Sequence, residues 1–170
     1  MQLLDVIRAE VALLGSSERV ILGGISQGCA TAVYAMLYGG IRLGGFLGLC
    51  SWLPFQGEME AIAARRAPEA EAFQLTRAIL QPAADGMTIQ DLSGLCSPER
   101  PALATPVLIS HSEDDATVPI INGQKLHQGL SRLGMPVTWR TYSDGGHWVN
   151  EPQGVDDMFE FLTNCVTIPK

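Results

Sequence analysis

An uncharged stretch of 22 consecutive residues, from Val20 to Ile41, limits the folds open to this chain. The stretch is long enough to cross a bilayer. Five glycines and several polar side chains interrupt it, however. A buried strand over 20–22, followed by a buried helix over 27–38 that ends at two glycines, explains it better. We therefore predict no transmembrane segment here.

The turn between this strand and helix reads Gly24-Ile25-Ser26-Gln27-Gly28, a G-x-S-x-G pattern. In a tight strand-to-helix turn, a serine hydroxyl projects from the carboxyl end of a sheet, and flanking glycines allow close backbone approach. The helix N-terminus favours a developing negative charge. These features make Ser26 a candidate nucleophile and the backbone N–H of Gln27 a candidate oxyanion donor.

A nucleophilic serine needs a basic imidazole, and the chain has three histidines. His127 falls in the middle of a predicted helix, where we expect it to be exposed to solvent. His111 ends a predicted strand, and local hydrogen bonding in a turn is the expected role. His147 follows two glycines on a loop after another strand, so it can reach the carboxyl edge of the sheet. We predict His147 as the base.

The imidazole in turn needs an acid to orient it. Asp115 comes shortly after a predicted strand and just before the turn into the next helix. Its neighbours Glu113 and Asp114 are expected to be solvated or to cap a helix. Asp144 is a rival acid on the histidine's own loop. With Asp115 as the acid, the chain order is serine, acid, histidine, as is typical of α/β-hydrolases.

The rest of the chain alternates strands and helices, which predicts a single α/β domain over residues 1–170 with a mainly parallel sheet of about four strands. Residues 55–104, rich in Ala, Glu, Pro and Gln, are predicted as an excursion of lid-like or surface helices. The remaining predicted strands span 45–50, 106–110 and 137–142, and the remaining helices span 1–14, 120–133 and 155–165.

Composition excludes several classes of function. The net charge is −7 and no basic residues cluster, which argues against nucleic-acid binding. The four cysteines show no C-x-x-C spacing, so buried, reduced thiols are expected. Charges at Asp5, Arg8 and Glu10 break any signal-peptide core, and together these features predict a cytoplasmic protein. No metal or organic cofactor is implied, since neither H-E-x-x-H nor a phosphate loop occurs.

The sequence resembles the phospholipase/carboxylesterase family of α/β-hydrolases, which includes acyl-protein thioesterases and lysophospholipases. The matching segments are R-V-I-L-G-G-I-S-Q-G-C-A (19–30), S-W-L-P (51–54), H-S-E-D-D-A-T-V-P (111–119) and G-G-H (145–147). The resemblance implies a triad of Ser26, Asp115 and His147. It also implies that Trp52 and Leu53 line an acyl pocket, with ordinary core packing as the alternative.

The chain departs from this family at its amino terminus. Members of the family have further strands before the first helix seen here, with an H-G-x-G-D-like loop that supplies a second oxyanion donor. Without that loop the rate is expected to fall by roughly 10²–10³. The strand at 20–24 is then an apolar edge of a truncated α/β-hydrolase sheet, and such edges tend to associate. We therefore expect a homodimer that covers it.

Three functions fit these observations. The first is a serine hydrolase that cleaves small acyl esters or thioesters. The second is a cyclase, dehydratase or lactone-forming acyl transferase that uses the His147–Asp115 pair on a polyketide-like chain. The third is a non-catalytic interaction module on a trimmed hydrolase fold, since fold alone does not determine function.

Overall fold

A computed structural model describes residues 2–65 and 102–166, and the fold is built from five helices and four strands within these ranges. The helices are α1 (Gln2–Leu14), α2 (Gln27–Gly39), α3 (Gln56–Ala64), α4 (Ile120–Arg132) and α5 (Gln153–Cys165). The strands are β1 (Ile21–Ile25), β2 (Gly45–Leu49), β3 (Val107–Ser112) and β4 (Val137–Tyr142). Short 3-10 turns cover Ser17–Arg19 and Ala102–Ala104.

The four strands form one parallel sheet in the order β1-β2-β3-β4. Phe46 at its centre is aligned with Leu22 of β1 and Val107 of β3, and Val107 is aligned in turn with Val137 of β4. The prediction of a mainly parallel α/β sheet of about four strands is therefore confirmed. Because all strands run the same way, their carboxyl ends meet at one edge of the sheet.

Helices cover both faces of the sheet, as two glycines of β2 show. A Cβ built on Gly45 would meet Cys165 of α5 at 2.9 Å, whereas one on Gly48 would meet Cys29 of α2 at 2.8 Å. Successive residues of a strand point to opposite faces, so α5 and α2 lie on opposite sides. Phe46 is fully buried on the α2 side, and all six residues of β3 are buried, as expected for a sheet covered on both faces.

The uncharged stretch divides into β1 and α2, as predicted. The expectation of a buried strand was wrong, because every residue of β1 is at least partly exposed. The strand was predicted to end at residue 22, or at Gly24 where it was treated as a sheet edge, and β1 continues through Gly23 and Gly24 to Ile25. Both glycines are aligned with residues of β2, and this pairing outweighs the tendency of glycine to end a strand. Within the described ranges, none of the helices combines the length and the apolar character needed to cross a membrane.

The predicted excursion over 55–104 falls mostly outside the described residues. Its first part is α3, where Met59 and Ile62 occupy the predicted helical spacing and are buried. The strand predicted over 106–110 extends to Ser112, so His111 lies within β3 rather than at its end. Parallel pairing with β4 continues through His111 and Ser112, which explains the extra length.

Candidate active site

One chemically reactive side chain follows each of the four strands. Ser26 follows β1, Cys50 follows β2, Asp115 comes three residues after β3, and His147 lies on the loop after β4. In open parallel sheets, ligands bind outside the carboxyl ends of the strands. The topology therefore gathers a hydroxyl, a thiol, a carboxylate and an imidazole at the edge where such sites form.

Ser26 lies in the sharp turn between β1 and α2. Its backbone angles are φ 55° and ψ −128°, in a region that non-glycine residues rarely adopt. Three hydrogen bonds hold it there: Ser26 N–H donates to Leu49 O at 2.9 Å, and Ser26 O accepts from Ala30 N–H at 3.2 Å and Ser51 Oγ at 2.7 Å. This is the geometry expected of a strand-to-helix turn that carries a nucleophile, and Leu49 of β2 and Ser51, two residues beyond β2, stabilise it.

The two glycines of the G-x-S-x-G pattern play different parts. A Cβ on Gly24 would lie 2.5 Å from the backbone N of Cys29 and 2.6 Å from the carbonyl carbon of Gly28, so only glycine fits. A Cβ on Gly28 would meet none of the described atoms outside its own turn within 4 Å. The expectation that both glycines permit close approach is therefore confirmed for Gly24 only.

Asp115 and His147 form the hydrogen-bonded pair at this edge. His147 Nδ1 donates to Asp115 Oδ2 at 2.8 Å, while Asp115 Oδ1 accepts from the backbone N–H groups of Thr117 and Val118, both at 2.9 Å. The Asp115 side chain is fully buried. Burial opposes its ionisation, but the hydrogen bonds from His147, Val118 and Thr117 outweigh burial and lower the pKa of Asp115 below its usual 3.8.

A second histidine, His111, also contacts the Asp115 carboxylate. Its Nε2 lies 2.8 Å from Val118 O and 3.2 Å from Asp115 Oδ2, and the ring is fully buried. Because a carbonyl can only accept, Nε2 carries a proton and donates toward both oxygens. The expectation of local hydrogen bonding at His111 is confirmed, and the bond reaches the predicted acid.

The loop that carries His147 is shaped by its glycines and by Asp114. Gly145 has φ +120°, and a Cβ there would meet Ser112 Oγ at 2.7 Å. The N–H of Gly146 donates to Asp114 Oδ1 at 2.8 Å. Asp144 instead accepts from Asn150 Nδ2 at 2.8 Å. The rival acid thus braces the loop while Asp115 contacts the imidazole.

The structure joins two of the three predicted catalytic side chains directly. His147 contacts Asp115, and Ser26 lies at the same edge of the sheet. Among the residues that the structure describes, Ser26 Oγ makes no hydrogen bond with His147. Such bonds often tighten only when substrate is bound. The contact between Ser26 and His147 stays a prediction.

Comparisons with known proteins agree with this architecture. The phospholipase/carboxylesterase family model matches residues 1–76, and the prolyl oligopeptidase family model matches residues 73–168. An acyl-protein thioesterase 1 from Gibberella zeae is 30% identical over 145 residues, which cover 85% of this chain and 47% of the relative. One from Schizosaccharomyces pombe is 40% identical over 68 residues, 40% of this chain and 30% of the relative.

The chain has an α/β-hydrolase fold and is similar to the phospholipase/carboxylesterase family over residues 1–76 and to the prolyl oligopeptidase family over residues 73–168. It spans about half the length, or less, of these curated relatives.

Solved structures show the same fold. Arabidopsis thaliana SOBER1 matches this chain with a TM-score of 0.69 at 22% identity, over 98% of this chain and 62% of SOBER1. Dipeptidyl peptidase 4 from Porphyromonas gingivalis matches with a TM-score of 0.56 at 14% identity, over 96% of this chain and 21% of that protein. One fold therefore accounts for the matches to both family models.

Trp52 and Leu53, the two residues predicted to line an acyl pocket, occupy different environments. Leu53 is buried in the hydrophobic core, and a Cβ on Gly129 of α4 would meet its Cδ2 at 2.4 Å. Its position matches the alternative of ordinary core packing. Trp52 is only partly buried.

His127 was wrongly expected to be exposed to solvent. Its ring stacks on Trp139 of β4, with centroids 5.6 Å apart and planes 12° apart, and burial lowers its pKa. A position in the middle of a predicted helix does not by itself show whether the side chain faces solvent or the sheet. The packing of α4 on β4 places the His127 ring against Trp139.

Cys50 is the neighbour of the His147–Asp115 pair that sequence analysis missed. Its Sγ donates to Trp148 O at 3.3 Å, next to His147. Burial and the charge of Asp115 raise the pKa of Cys50 to about 11, so at neutral pH it is a thiol rather than a competing nucleophile. The sequence signal that could have identified Cys50 is its position at the end of the strand predicted over 45–50.

The contrast between the two glycines predicts the stability of their alanine variants. Gly24→Ala should lower the free energy of unfolding by about 3 kcal/mol, because backbone atoms must move to admit the methyl group. The matched control Gly28→Ala should be as stable as the parent or up to about 1 kcal/mol more stable, since alanine favours helix. Urea unfolding measures both values, and equal stability of the two variants would contradict the packing described here.

The lowered pKa of Asp115 predicts how stability depends on pH. The carboxylate stabilises the fold above about pH 3.8, and this contribution is lost as pH falls through the lower folded-state pKa. The deficit in stability of Asp115→Asn should therefore be full near neutrality and shrink below about pH 3.8. Thermal unfolding from about pH 7 to 2.5 tests this, with the exposed Glu113→Gln as control. A deficit that does not change with pH would refute it.

Proposed function

We propose that this chain carries the catalytic residues of a serine hydrolase that cleaves acyl esters or thioesters, with Ser26, His147 and Asp115 as its triad. The observation that carries the proposal is the 2.8 Å hydrogen bond from His147 Nδ1 to the buried Asp115 carboxylate. It lies at the same sheet edge as a serine held in a strand-to-helix turn. Acyl transfer by a Ser-His-Asp triad uses these three groups, and the observed pair supplies two of them.

The proposed reaction begins with attack of Ser26 Oγ on the substrate carbonyl. His147 Nε2 takes the serine proton and gives it to the leaving alcohol or thiol. The same imidazole then activates a water molecule that releases the acid from the acyl-Ser26 ester. Asp115 holds the proton on Nδ1, so that Nε2 stays free to accept, and it stabilises the imidazolium that forms.

The negative charge on the carbonyl oxygen develops near the start of α2. The first N–H groups of a helix have no acceptor within the helix, and the helix dipole favours an anion there. We assign the backbone N–H of Gln27 as one oxyanion donor. A second donor is part of the proposed mechanism but has no assigned residue in the described ranges, and its loss would cost roughly 10²–10³ in rate.

The substrate class follows from the relatives. Two are named acyl-protein thioesterase 1, which favours a thioester or ester of an acyl chain. The partly buried Trp52 adjoins Ser51, which clamps the nucleophile turn, and we assign it to the wall of the acyl pocket. Leu53 is assigned a supporting role beneath it, because its side chain packs in the core.

Cys29, Cys50 and Cys165 are free, consistent with the predicted cytoplasmic location.

Hydrolysis of short acyl esters and thioesters tests the triad. Ser26→Ala and His147→Ala should each lower kcat/KM by at least about 10³-fold, because each removes a group that the reaction requires. A fluorophosphonate should label the parent chain and fail to label Ser26→Ala. Ser131→Ala, an exposed serine on α4, is the control and should keep both rate and labelling. Undiminished turnover by Ser26→Ala would reject the assignment.

Product masses separate hydrolysis from the other functions considered. Hydrolysis adds water to the substrate, whereas cyclisation, dehydration or lactone formation on a polyketide-like chain does not. Activity that survives in Ser26→Ala but is lost in His147→Ala would support that second chemistry. A chain with neither turnover nor labelling would support a non-catalytic interaction module.

We further propose that two copies of this chain associate through β1. Among the described residues, β1 pairs with β2 alone, and its residues are at least partly exposed, unlike those of β3. A second copy offers the same edge. Two-fold pairing of the β1 strands would be antiparallel and would extend the sheet across both chains.

A charge on this edge should disrupt the dimer. Ile21, at the start of β1, is partly exposed, so Ile21→Lys should convert a mass of two chains into a mass of one in light scattering after gel filtration. Ile121→Lys places the same charge on the exposed face of α4 and should leave the dimer intact. A parent chain with the mass of one copy would refute the association.

A further inference from the structure

We propose that Cys50, Asp115 and His147 form a zinc(II) site that holds the catalytic pair in an inactive state. Metal binding by the three side chains stands on their geometry alone. Its inhibitory effect rests on the proposed function, because it requires His147 to be the catalytic base.

The three side chains offer a ligand set that suits zinc. A Cys Sγ, an Asp carboxylate oxygen and a His ring nitrogen lie within 4.8 Å of one another. Thiolate, imidazole and carboxylate are the groups that bind zinc in proteins, whereas magnesium and calcium prefer oxygen ligands alone. The set thus selects a borderline-soft cation over the hard ones.

The distances permit one metal ion with modest adjustment. Tetrahedral zinc, with bonds of about 2.0–2.3 Å, keeps its ligand atoms roughly 3.3–3.6 Å apart. His147 Nδ1 and Asp115 Oδ2 are now 2.8 Å apart, so they must separate by about half an ångström. All three ligand atoms lie within 4.8 Å of one another, so the distances from Cys50 Sγ to the other two can shorten to the values that zinc requires. The His147 side chain is 25% exposed, which gives the ion a path from solvent and the ring space to shift.

Two of the ligands are already held in place by the fold. Asp115 Oδ1 is fixed by two backbone N–H groups, which leaves Oδ2 directed at the site. Cys50 is held by the turn after β2, where its φ is +47°, and its thiol points to Trp148 O. Ligands that are positioned before the metal arrives lose little conformational entropy on binding.

Zinc binding would redistribute two protons. The Cys50 thiol loses its proton to solvent as the sulfur–zinc bond forms, because the thiolate is the ligand. The imidazole proton moves from Nδ1, which binds the metal, to Nε2. An Nε2 that carries a proton can no longer accept one from Ser26, and the bond to Asp115 that orients the ring is lost. A chain with zinc bound at this site therefore cannot carry out the proposed catalysis.

Zinc titration of the full chain by calorimetry tests binding without relying on activity. Cys50→Ser should weaken zinc binding at this site at least roughly tenfold, since it removes the soft ligand. Cys165→Ser, a free cysteine at the end of α5, is the matched control and should bind zinc as the parent does. Ser26→Ala should also bind zinc as the parent does. Cobalt(II) should give a thiolate charge-transfer band in the parent and in Cys165→Ser that is absent in Cys50→Ser.

Inhibition is measured as the zinc concentration that halves each variant's own metal-free rate. That concentration should rise at least roughly tenfold in Cys50→Ser and stay unchanged in Cys165→Ser. Equal zinc affinity in the parent and Cys50→Ser would overturn the site, even if the chain proves to be an active hydrolase. Cys50-dependent binding to a chain without hydrolase activity would uphold the site and overturn the proposed function instead.

Discussion

The hydrogen bond between His147 and Asp115 is the interaction on which the site depends. It joins the loop after β4 to the turn after β3, and each end is fixed by further contacts. Backbone N–H groups of Thr117 and Val118 hold Asp115 on one side, and His111 holds it on the other. A carboxylate can be buried only when such donors replace water, so the turn that supplies them is as much a part of the site as the acid itself.

A second constraint acts at the nucleophile turn. Ser26 adopts an unfavourable backbone conformation, which persists because neighbouring structure holds it there. The hydrogen-bond partners are Leu49 of β2, Ser51 just beyond it and Ala30 of α2, and the close approach of α2 requires glycine at position 24. The turn, the sheet and the first helix turn therefore hold Ser26 at the carboxyl edge of the sheet.

Parallel pairing explains why one edge can serve two chemistries. The same alignment that brings Asp115 and His147 together also places Cys50 beside them, since each follows the end of a neighbouring strand. A thiol at this place is unreactive while burial and the Asp115 charge keep it protonated. A cation changes that balance, because it compensates the buried negative charge. The proposed catalysis and the proposed zinc binding therefore both use Asp115 and His147.

The amino-acid sequence by itself determined the order of strands and helices and the turn around Ser26, whereas it left Asp144 as a rival to Asp115, and the tertiary contact with His147 decided between them. The order and the turn follow from local patterns: apolar runs, glycine stops, and reactive residues placed just after strands. Tertiary structure alone decided the burial of Leu53 in the core and the stacking of His127 on Trp139. It also decided that a side chain has space at Gly28 but not at Gly24. It also decided the presence of Cys50 at the site, because that neighbour comes from a different strand. Local patterns report what a residue can do, whereas the contacts that decide what it does join residues far apart in the chain.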